Sequence, residues 1–389
     1  MMFFGNKEIK NLRKAADRIK KAIRDKEKII VYADADLDGT SSAIILEGSI
    51  KNLGGNSPEI YFPDREKEGY GINEKALDFL KKEAPALLIS IDCGIGNLKE
   101  VDIANKMGFE VIIVDHHEVL DEVPKASIIV DPKQKGDKYP FKEFAATGLA
   151  FKLAEELFNN NIPKPLNKSF LELVALATIA DMMPQRDENK LLIEEGLMAL
   201  KETERPGLKV FFKENFSVGD LNIKMTASKI ISTLNASGVV DHLTEAYLLL
   251  SSSNDETVEI LKDSLVKKNE EKHLRIKQVI WEVQERILKD FKSPLVFEGG
   301  EDWSLVFLGP AASAICRDFQ KPVFLFKKGE DKSRGAVRTP KDLNSVEAMK
   351  SCSDLLETFG GHPLASGFTV KNENLEKFKN CLIDYFLSK

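Results

Sequence analysis

The stretch VIIVDHH at residues 111–117 constrains the fold of this chain more than any other part of the sequence. Four consecutive β-branched apolar residues are typical of a strand that is buried on both faces of a parallel sheet. Asp115, His116 and His117 follow directly, and burying such polar groups costs several kcal/mol unless each has a partner. A polar turn after a strand readily accounts for one of them but not for three in succession. The stretch therefore predicts a buried strand that ends at a chemically active site.

Three more strand-like runs in the first third of the chain also end at an aspartate. They are residues 29–33 before Asp34, residues 87–91 before Asp92 and residues 127–130 before Asp131. Because the carboxyl ends of parallel strands lie along one edge of a sheet, where ligands bind in such folds, we expect these carboxylates to lie close together. Carboxylates that lie close together must take up protons or share bound cations. We favour bound cations.

The segment after the first strand carries three carboxylates, those of Asp34, Asp36 and Asp38. Their spacing matches the start of an EF-hand loop, but the twelfth loop position is Ile45 in place of a bidentate glutamate, and a strand precedes the loop where a helix is needed. At the edge of a sheet, alternation lets two of these carboxylates face the same way and chelate together. Oxygen ligands with one imidazole, that of His116, favour Mn²⁺ or Mg²⁺ over Zn²⁺.

Two more aspartates extend this predicted metal site. Asp92 follows the next predicted strand and could bridge two ions. Asp181 follows an apolar helix, and the alternative interpretation is that it only caps this helix at the surface. Two divalent ions a few Å apart suit in-line attack on a phosphodiester, because they activate a water molecule and neutralise charge on the attacking and leaving oxygens. The residues alone therefore favour phosphodiester hydrolysis.

Length and composition set the outer limits. The chain has 389 residues, enough for two or more domains, and its 43% hydrophobic and 30% charged content is ordinary for a soluble globular protein. No apolar run approaches the roughly 18 residues of a membrane span. The net charge of −6 argues against nonspecific coating of nucleic acid but leaves room for a local basic groove. The four cysteines form no C-x-x-C pair, so we expect reduced thiols in a cytoplasmic protein, with neither a disulfide frame nor a zinc site.

The order of the predicted elements gives an α/β fold class. Strands alternate with helices in the first part of the chain, which predicts a parallel βαβ sheet. Helical spacing of apolar residues dominates 145–254, and the charged stretch that follows is typical of a long helix between two domains. We therefore predict an N-terminal domain at 1–254, a connecting helix at 255–292 and a smaller α/β domain at 293–389.

The smaller domain is predicted to mix short strands with helices. Its strands are expected at residues 295–297, 304–308, 323–326, 335–338 and 367–370. Its helices are expected at residues 311–319, at 344–357 and from 375 onward.

The motifs in combination resemble those of the DHH phosphoesterases. The Asp-x-Asp-x-Asp-Gly segment, the aspartate after the next strand and the Asp-His-His triplet all match that family. The segments IADMMP at 179–184 and LNASG at 234–238 resemble the helical region of RecJ-type nucleases. The later residues resemble the associated DHHA1 domain, and they are Trp303, Gly309, Ser313, the Gly335-x-x-Arg338 motif and the Gly360-Gly361-His362-x-x-Ala365-x-Gly367 motif. The resemblance spans about residues 28–389.

This resemblance implies an exonuclease that uses two Mn²⁺ or Mg²⁺ ions to hydrolyse single-stranded DNA or RNA to mononucleotides. The implied metal ligands are Asp34, Asp36, Asp38, Asp92, His116 and Asp181. Asp115 is implied to support the neighbouring imidazole, and His117 to contact the scissile phosphate or assist proton transfer. The implied substrate-binding residues also include Asn235, Ser313, Arg338, Gly360, Gly361 and His362. The resemblance also implies replication or repair proteins as partners, and it implies no membrane association.

Ordinary alternatives stand beside these implied roles. Gly360-Gly361 could be a helix C-cap, Arg338 a surface charge on a strand, and His362 a turn histidine. Tyr32 lies where many RecJ proteins have a histidine, and Thr233 and Val239 lie where such proteins have arginines that contact nucleic acid. The resemblance also stops at the DHHA1 helix, without the OB-fold of long bacterial RecJ enzymes.

Two other functions remain open from the sequence. A phosphodiesterase for short oligonucleotides or cyclic dinucleotides is favoured by the replaced arginines and the missing OB-fold. A non-catalytic replication scaffold, which is a related class of protein, is disfavoured because such scaffolds tend to lose metal ligands and every acidic position is present here.

Overall fold

The computed structural model describes residues 8–65, 67–119, 122–212, 223–288 and 293–388. The chain divides into two compact units, and the division falls between residues 269 and 270. The predicted fold class is confirmed, because the first unit contains a five-stranded parallel sheet with many helices and the second a smaller mixed sheet. The domain boundaries at 254/255 and 292/293 stay predictions, and residues 289–292 at the second of them lie outside the described residues. In the described ranges, no helix combines the length and apolarity needed to cross a membrane.

The first unit begins with the alternating strands and helices that the sequence predicts. In chain order they are α1 (Leu12–Asp25), β1 (Ile29–Ala33), α2 (Leu37–Asn52), β2 (Glu59–Tyr61), α3 (Glu74–Leu80), β3 (Ala86–Ile91), α4 (Leu98–Lys106), β4 (Phe109–Val114) and β5 (Ile128–Val130). The strands pair in parallel in the order β2-β1-β3-β4-β5. Every residue of β1 and β3 is buried, because helices cover both faces of the sheet.

Helices dominate the rest of the first unit, as the apolar spacing predicts. They are α5 (Ala146–Leu157), α6 (Lys164–Ala180), α7 (Asp187–Lys201), α8 (Pro206–Lys209), α9 (Ile223–Leu234) and α10 (Glu245–Ser251), with a small hairpin of β6 (Val239–Val240) and β7 (Leu243–Thr244) before α10. Helices α6 and α7 approach closely at Gly196, where a Cβ would lie 2.1 Å from the carbonyl oxygen of Leu171. Glycine is therefore required at that crossing.

The long helix α11 (Asp255–Ile287) begins where the connecting helix is predicted. Leu265 in its first half is fully buried in the core of the first unit. Val283 in its second half is fully buried in a core cluster of the second unit. The buried residues of α11 thus belong to two separate hydrophobic clusters.

The second unit is built on a mixed sheet. In chain order it contains β8 (Val296–Gly300), α12 (Leu305–Phe319), β9 (Val323–Lys328), β10 (Lys332–Arg338), α13 (Ser345–Ser351), β11 (Leu356–His362), β12 (Ala365–Lys371) and α14 (Leu375–Leu387). The strand order is β11-β12-β10-β9-β8, in which β8 and β9 are parallel and the other pairs are antiparallel. Strands β8 and β11 are the edges of this sheet.

Two sequence predictions for the second unit are wrong. Residues 304–308 are not a strand, because Leu305–Phe319 form α12, whose buried Leu308, Ala311 and Ile315 recur at helical spacing. A short apolar run does not by itself separate the two structures. The helix predicted at 344–357 ends at Ser351, and Leu356–His362 form β11. Gly360-Gly361 therefore belongs to a strand and is not a helix C-cap.

The expectation of four reduced cysteines is also wrong. Cys352 and Cys381 form a disulfide with their Cα atoms 6.1 Å apart, whereas Cys93 and Cys316 are free and buried. The two bonded residues are 29 positions apart in the sequence. Their proximity results from the packing of α13 near α14, which no local cysteine spacing reveals.

Candidate metal centre

The carboxyl ends of four neighbouring strands place four aspartates along one edge of the first sheet. They are Asp34 after β1, Asp92 after β3, Asp115 after β4 and Asp131 after β5, and each is at most 2% exposed. The backbone amides of the first three donate to the adjacent strands, Asp34 to Ile91 at 3.3 Å, Asp92 to Val114 at 3.0 Å and Asp115 to Val130 at 3.0 Å. The sheet ladder therefore extends into the aspartates and fixes their backbones.

Asp36 and Asp38 are held at the N-termini of two helices. The Asp36 side chain caps α2 by accepting from the amides of Asp38 and Gly39, at 2.9 and 3.1 Å. The Asp38 carboxylate accepts from the amides of Ala146 and Thr147 at the start of α5, at 2.7 and 2.9 Å. Amide donors and the helix dipole both favour a negative charge at these positions.

One group of possible metal ligands contains Asp34, Asp36 and Asp92. One carboxylate oxygen of each lies within 4.8 Å of the others. The guanidinium of Arg65 binds this group, with Nε 2.7 Å from Asp34 Oδ1 and Nη2 2.9 Å from Asp36 Oδ2. Arg65 thus supplies the positive charge that so many buried carboxylates need.

A second group contains Asp38, His116 and Asp181. His116 Nε2 lies 3.9 Å from Asp38 Oδ2, 3.7 Å from Asp181 Oδ2 and 3.2 Å from Asp92 Oδ1. The first two distances exceed a hydrogen bond, so these atoms converge without bonding to one another. Asp181 Oδ2 is buried and has no hydrogen-bond partner among the described residues. A buried orphan oxygen beside a carboxylate and an imidazole fits a bound divalent cation.

Asp92 belongs to the first group and also lies within reach of His116 and His117 in a third set of candidate ligands. Its backbone has a left-handed φ of 61°, a conformation uncommon for a residue with a side chain. Burial, together with the charges of Asp38 and Asp36, raises the pKa of Asp92 well above its usual value. The carboxylate therefore takes its charged form readily only when cations are close.

The other carboxylates respond to the same crowding. Burial and the charge of Asp36 raise the pKa of Asp38 to about 6, and burial and the charge of Asp38 raise the pKa of Asp181 to about 8. Burial also acts on Asp36, but the Arg65 guanidinium and the α2 amides hold the pKa of that carboxyl below its usual range. A buried carboxyl group with a raised pKa keeps its charge most readily beside a cation, so the raised pKa values of Asp38 and Asp181 support a cation site between them.

The two adjacent histidines differ in protonation. Burial, with the positive charge of His117 nearby, lowers the pKa of His116 to about 4, so this imidazole is neutral and able to coordinate a metal. Burial also opposes protonation of His117, but its hydrogen bond to Asp115 outweighs that effect and raises the pKa of His117 to about 9. His117 is therefore a cation at neutral pH.

Asp115 orients this pair. Its Oδ1 accepts from the His116 amide at 2.8 Å and lies 2.7 Å from His117 Nδ1, and its Oδ2 accepts from the Ile95 amide at 3.0 Å. The Tyr70 hydroxyl lies 3.3 Å from His117 Nε2. Both carboxylate oxygens of Asp115 thus accept hydrogen bonds, and Oδ1 fixes the ring of His117.

The structure also brings together several predicted residues of the second unit. Arg338 Nε donates to Ser313 Oγ at 3.0 Å. The sheet register places Arg338 opposite Ala365 and Ala365 opposite His362, so the three residues share one level across β10, β12 and β11. Gly360 and Gly361 precede His362 in β11, and Gly361 has a φ of 128°, which favours glycine. The side chain of His362 lies outside what the structure describes.

Asn235 is exposed and follows the end of α9, and its backbone N–H donates to the Ile231 carbonyl at 2.9 Å. The neighbouring Thr233 is 1% exposed, and its hydroxyl donates to the Lys229 carbonyl at 2.9 Å. Thr233, which lies where RecJ-type proteins have an arginine, is therefore a packed polar side chain in this chain.

Sequence reasoning missed three residues at this edge of the sheet. Arg65 and Tyr70 belong to the loop after β2, and the glycines that flank Tyr70 were the available signal. Asp131 was recognised as the end of a strand but not assigned to the site. Its Oδ2 is buried without a partner among the described residues, and burial raises the pKa of Asp131 to about 7.

Comparison with known proteins gives concordant matches over nearly the whole chain. Residues 28–178 match the DHH family, N-terminal domain, and residues 291–388 match the DHHA1 domain. The chain is 36% identical over 386 residues to the single-stranded-DNA-specific exonuclease RecJ of Bacillus subtilis, covering 98% of this chain and 48% of that protein. The chain therefore spans about half the length of this relative.

Solved structures agree with these matches. A crystal structure of exonuclease RecJ bound to manganese has a TM-score of 0.81 at 27% identity, covering 98% of this chain and 96% of that chain. RecJ from Thermus thermophilus in complex with Mn²⁺ has a TM-score of 0.83 at 25% identity, covering 98% of this chain and 55% of that chain.

Proposed function

Because the chain belongs to the DHH/DHHA1 family, with RecJ proteins among its relatives, we propose that it is a two-metal phosphodiester hydrolase of the RecJ type. Its proposed activity is exonucleolytic degradation of single-stranded nucleic acid to mononucleotides. The observation that carries this proposal is the position of Asp92, within reach of Asp34 and Asp36 on one side and of His116 on the other. One carboxylate shared by two ligand groups would suit a pair of ions held a few Å apart.

The proposed ligands of two Mn²⁺ or Mg²⁺ ions are Asp34, Asp36, Asp38, Asp92, His116 and Asp181. The buried orphan oxygen of Asp181 and the neutral imidazole of His116 support this assignment. Bound ions of this kind supply a water molecule of lowered pKa and neutralise charge on the phosphate oxygens. The protein contributes a buried edge of the sheet on which the ligands are already assembled.

His117 is the proposed proton donor and phosphate contact. Its raised pKa keeps it protonated at neutral pH, so it is able to donate a hydrogen bond to a phosphate oxygen or a proton to the leaving oxygen. Asp115 holds the ring through the 2.7 Å contact with Nδ1, and Nε2, which lies 3.3 Å from the Tyr70 hydroxyl, is the proposed donor to the substrate. Asp115 is therefore a positioning residue.

Arg338 and the backbone of Gly360 and Gly361 are proposed to bind a substrate phosphate. Among the described residues, Arg338 donates to Ser313 and to the Val337 carbonyl and forms no ion pair. An arginine whose charge is not neutralised by a carboxylate favours an anion, and its planar fork matches phosphate geometry. Asn235 is proposed as a further substrate contact because it is exposed at the end of α9.

The direct test uses the purified protein with Mn²⁺ and single strands of DNA and RNA labelled at the 5′ or the 3′ end. The expected result is release of mononucleotides that is abolished by EDTA and by Asp115→Ala. Asp78→Asn, which changes an exposed aspartate on α3, is the matched control and retains activity. Absence of mononucleotide release from every substrate, with the control protein folded, contradicts the proposal.

A second candidate is a phosphodiesterase for short oligonucleotides or cyclic dinucleotides. The observation that favours it is Thr233, a buried side chain with a satisfied hydroxyl at a position where RecJ-type proteins have an arginine. Comparison of kcat/KM on two- to five-nucleotide substrates with that on long strands separates the two functions. A scaffold without activity is disfavoured, since the full set of candidate ligands is brought together. We propose that the protein acts in the cytoplasm and that its partners are replication or repair proteins.

A further inference from the structure

The disulfide between Cys352 and Cys381 encloses the part of the second unit that carries Gly360 and Gly361. Cys352 follows α13 and is 3% exposed, whereas Cys381 lies in α14 and is half-buried. The segment between them contains β11 and β12. Helix α14 is anchored by Phe378 and Leu382, which are fully buried. The bond therefore ties the start of the β11 segment to the core of the second unit.

Strand β11 is held by fewer neighbours than the central strands of its sheet. Among the described residues it is an edge strand that pairs only with β12, and its register is irregular between Leu356 and Thr358, close to Cys352. Gly360 and Gly361 contribute no side chain to packing, and a Cβ at Gly360 would meet no atom within 4 Å. Edge segments with few packed side chains are the first parts of a fold to open locally.

We infer that Cys352 and Cys381 form a reversible redox site for low-molecular-weight thiols, and that its oxidised state fixes β11 for binding of the substrate phosphate. The redox half stands on the geometry of the second unit alone. The substrate-binding half rests on the proposed function.

The reaction is thiol–disulfide exchange. A small thiolate attacks Cys381 Sγ, the more exposed sulfur, and forms a mixed disulfide. The bond to Cys352 breaks, its electron pair remains on Cys352 Sγ, and this buried sulfur takes up a proton. A second small thiolate attacks the small-molecule sulfur of the mixed disulfide and releases Cys381. One protein disulfide and two small thiols thus become two protein thiols and one small disulfide, and oxidised glutathione drives the reverse reaction.

The test places the full chain in buffers of reduced or oxidised glutathione and has two readouts that do not require activity. Alkylation of the denatured protein followed by mass spectrometry is expected to modify two cysteines, Cys93 and Cys316, after oxidation and all four after reduction. Hydrogen exchange of the amides at 356–362 is expected to be about fivefold faster or more in the reduced protein. Four alkylated cysteines in both buffers, or two in both, overturns the redox site, and equal exchange in both with a confirmed change in alkylation overturns the inference that the bond fixes β11.

Matched variants separate the bond from side effects of reduction. Cys381→Ser removes the bond at the half-buried position and is expected to show the fast exchange of β11 in both buffers. Cys316→Ser changes a buried free thiol of the same unit and is expected to respond to glutathione as the unmodified protein does. A Cys381→Ser protein with slow exchange at 356–362 overturns the inference that the bond fixes β11.

Substrate binding is the last readout. Reduction is expected to raise the KM for a single-stranded oligonucleotide about threefold or more while changing kcat less than about twofold, since β11 is assigned to binding. An unchanged KM with a confirmed change in β11 overturns the substrate-binding half alone. A protein with no nuclease activity in either buffer counts against the proposed function, and the alkylation and exchange results still decide the redox site.

Discussion

The two units hold their candidate residues in different ways. In the first unit, Asp34, Asp92 and Asp115 follow central strands, are at most 2% exposed and continue the sheet ladder through their backbone amides. In the second unit, Gly360 and Gly361 belong to an edge strand. Reacting groups must be held to within about 0.5 Å, which central strands achieve. We therefore expect changes in the first unit to act on kcat and changes in the second to act on KM.

The largest effect is expected from Asp92→Asn. Loss of the carboxylate shared by two ligand groups should lower kcat by about 10²- to 10³-fold, because charge stabilisation at the reacting phosphate is lost. Thermal stability in EDTA should not fall, since the change removes repulsion among Asp92, Asp38 and Asp36. Steady-state kinetics and calorimetry with Mn²⁺ check both points. A variant with normal kcat would contradict the expectation that changes in the first unit act on kcat.

Arg338→Ala should have the next largest effect, and on a different constant. Removal of the guanidinium proposed to bind phosphate should raise KM about tenfold with kcat within about twofold, because such a contact is made equally in the ground and transition states. Arg338→Lys should recover only part of the loss, since it lacks the planar fork. A drop in kcat with unchanged KM would move Arg338 to the reacting centre.

Arg65→Ala tests whether the guanidinium competes with a metal ion. Arg65 binds Asp34 and Asp36, which are proposed metal ligands. Removing it should raise the apparent Mn²⁺ affinity about threefold, because a competing positive charge is gone. The metal-free protein should lose about 1 kcal/mol of stability, a value discounted because the Arg65 side chain is 44% exposed. Titration with Mn²⁺ and unfolding in EDTA measure these effects, and weaker Mn²⁺ binding would show that Arg65 assists the ion.

The smallest effect is expected in the pH dependence of stability in EDTA, measured on the wild-type protein and His117→Gln. Asp115 raises the folded-state pKa of His117 from 6.5 to about 9. The protonated histidine therefore stabilises the fold fully below about pH 6.5, and this contribution is lost as pH rises through about 9. The difference in unfolding midpoint should shrink over that window. A difference that grows with pH would contradict the assigned contact between His117 and Asp115.

The sequence predicted the first unit better than the second for a physical reason. A buried strand followed by aspartate is a local pattern, and parallel pairing places every such aspartate at one edge, so Asp34, Asp92 and Asp115 could be grouped without coordinates. Arg65 could not be grouped in this way, because a long side chain that reaches back from a loop leaves no periodic signal. The error at 304–308 has another cause, since a four-residue apolar run fits a strand or a helix equally well. The Cys352–Cys381 bond depends on helix packing between residues 29 positions apart, so it also leaves no local pattern in the sequence.

The extension of the sheet ladder into Asp34, Asp92 and Asp115 has a consequence for metal selection. Neighbouring strands are about 4.8 Å apart, and this spacing is set by peptide hydrogen bonds before any ion arrives. An ion of a different radius can then be accommodated only by rotation of carboxylate groups on a fixed frame. The candidate site should consequently favour ions whose radius and coordination geometry suit that frame, and its ligands should stay assembled until the sheet itself melts.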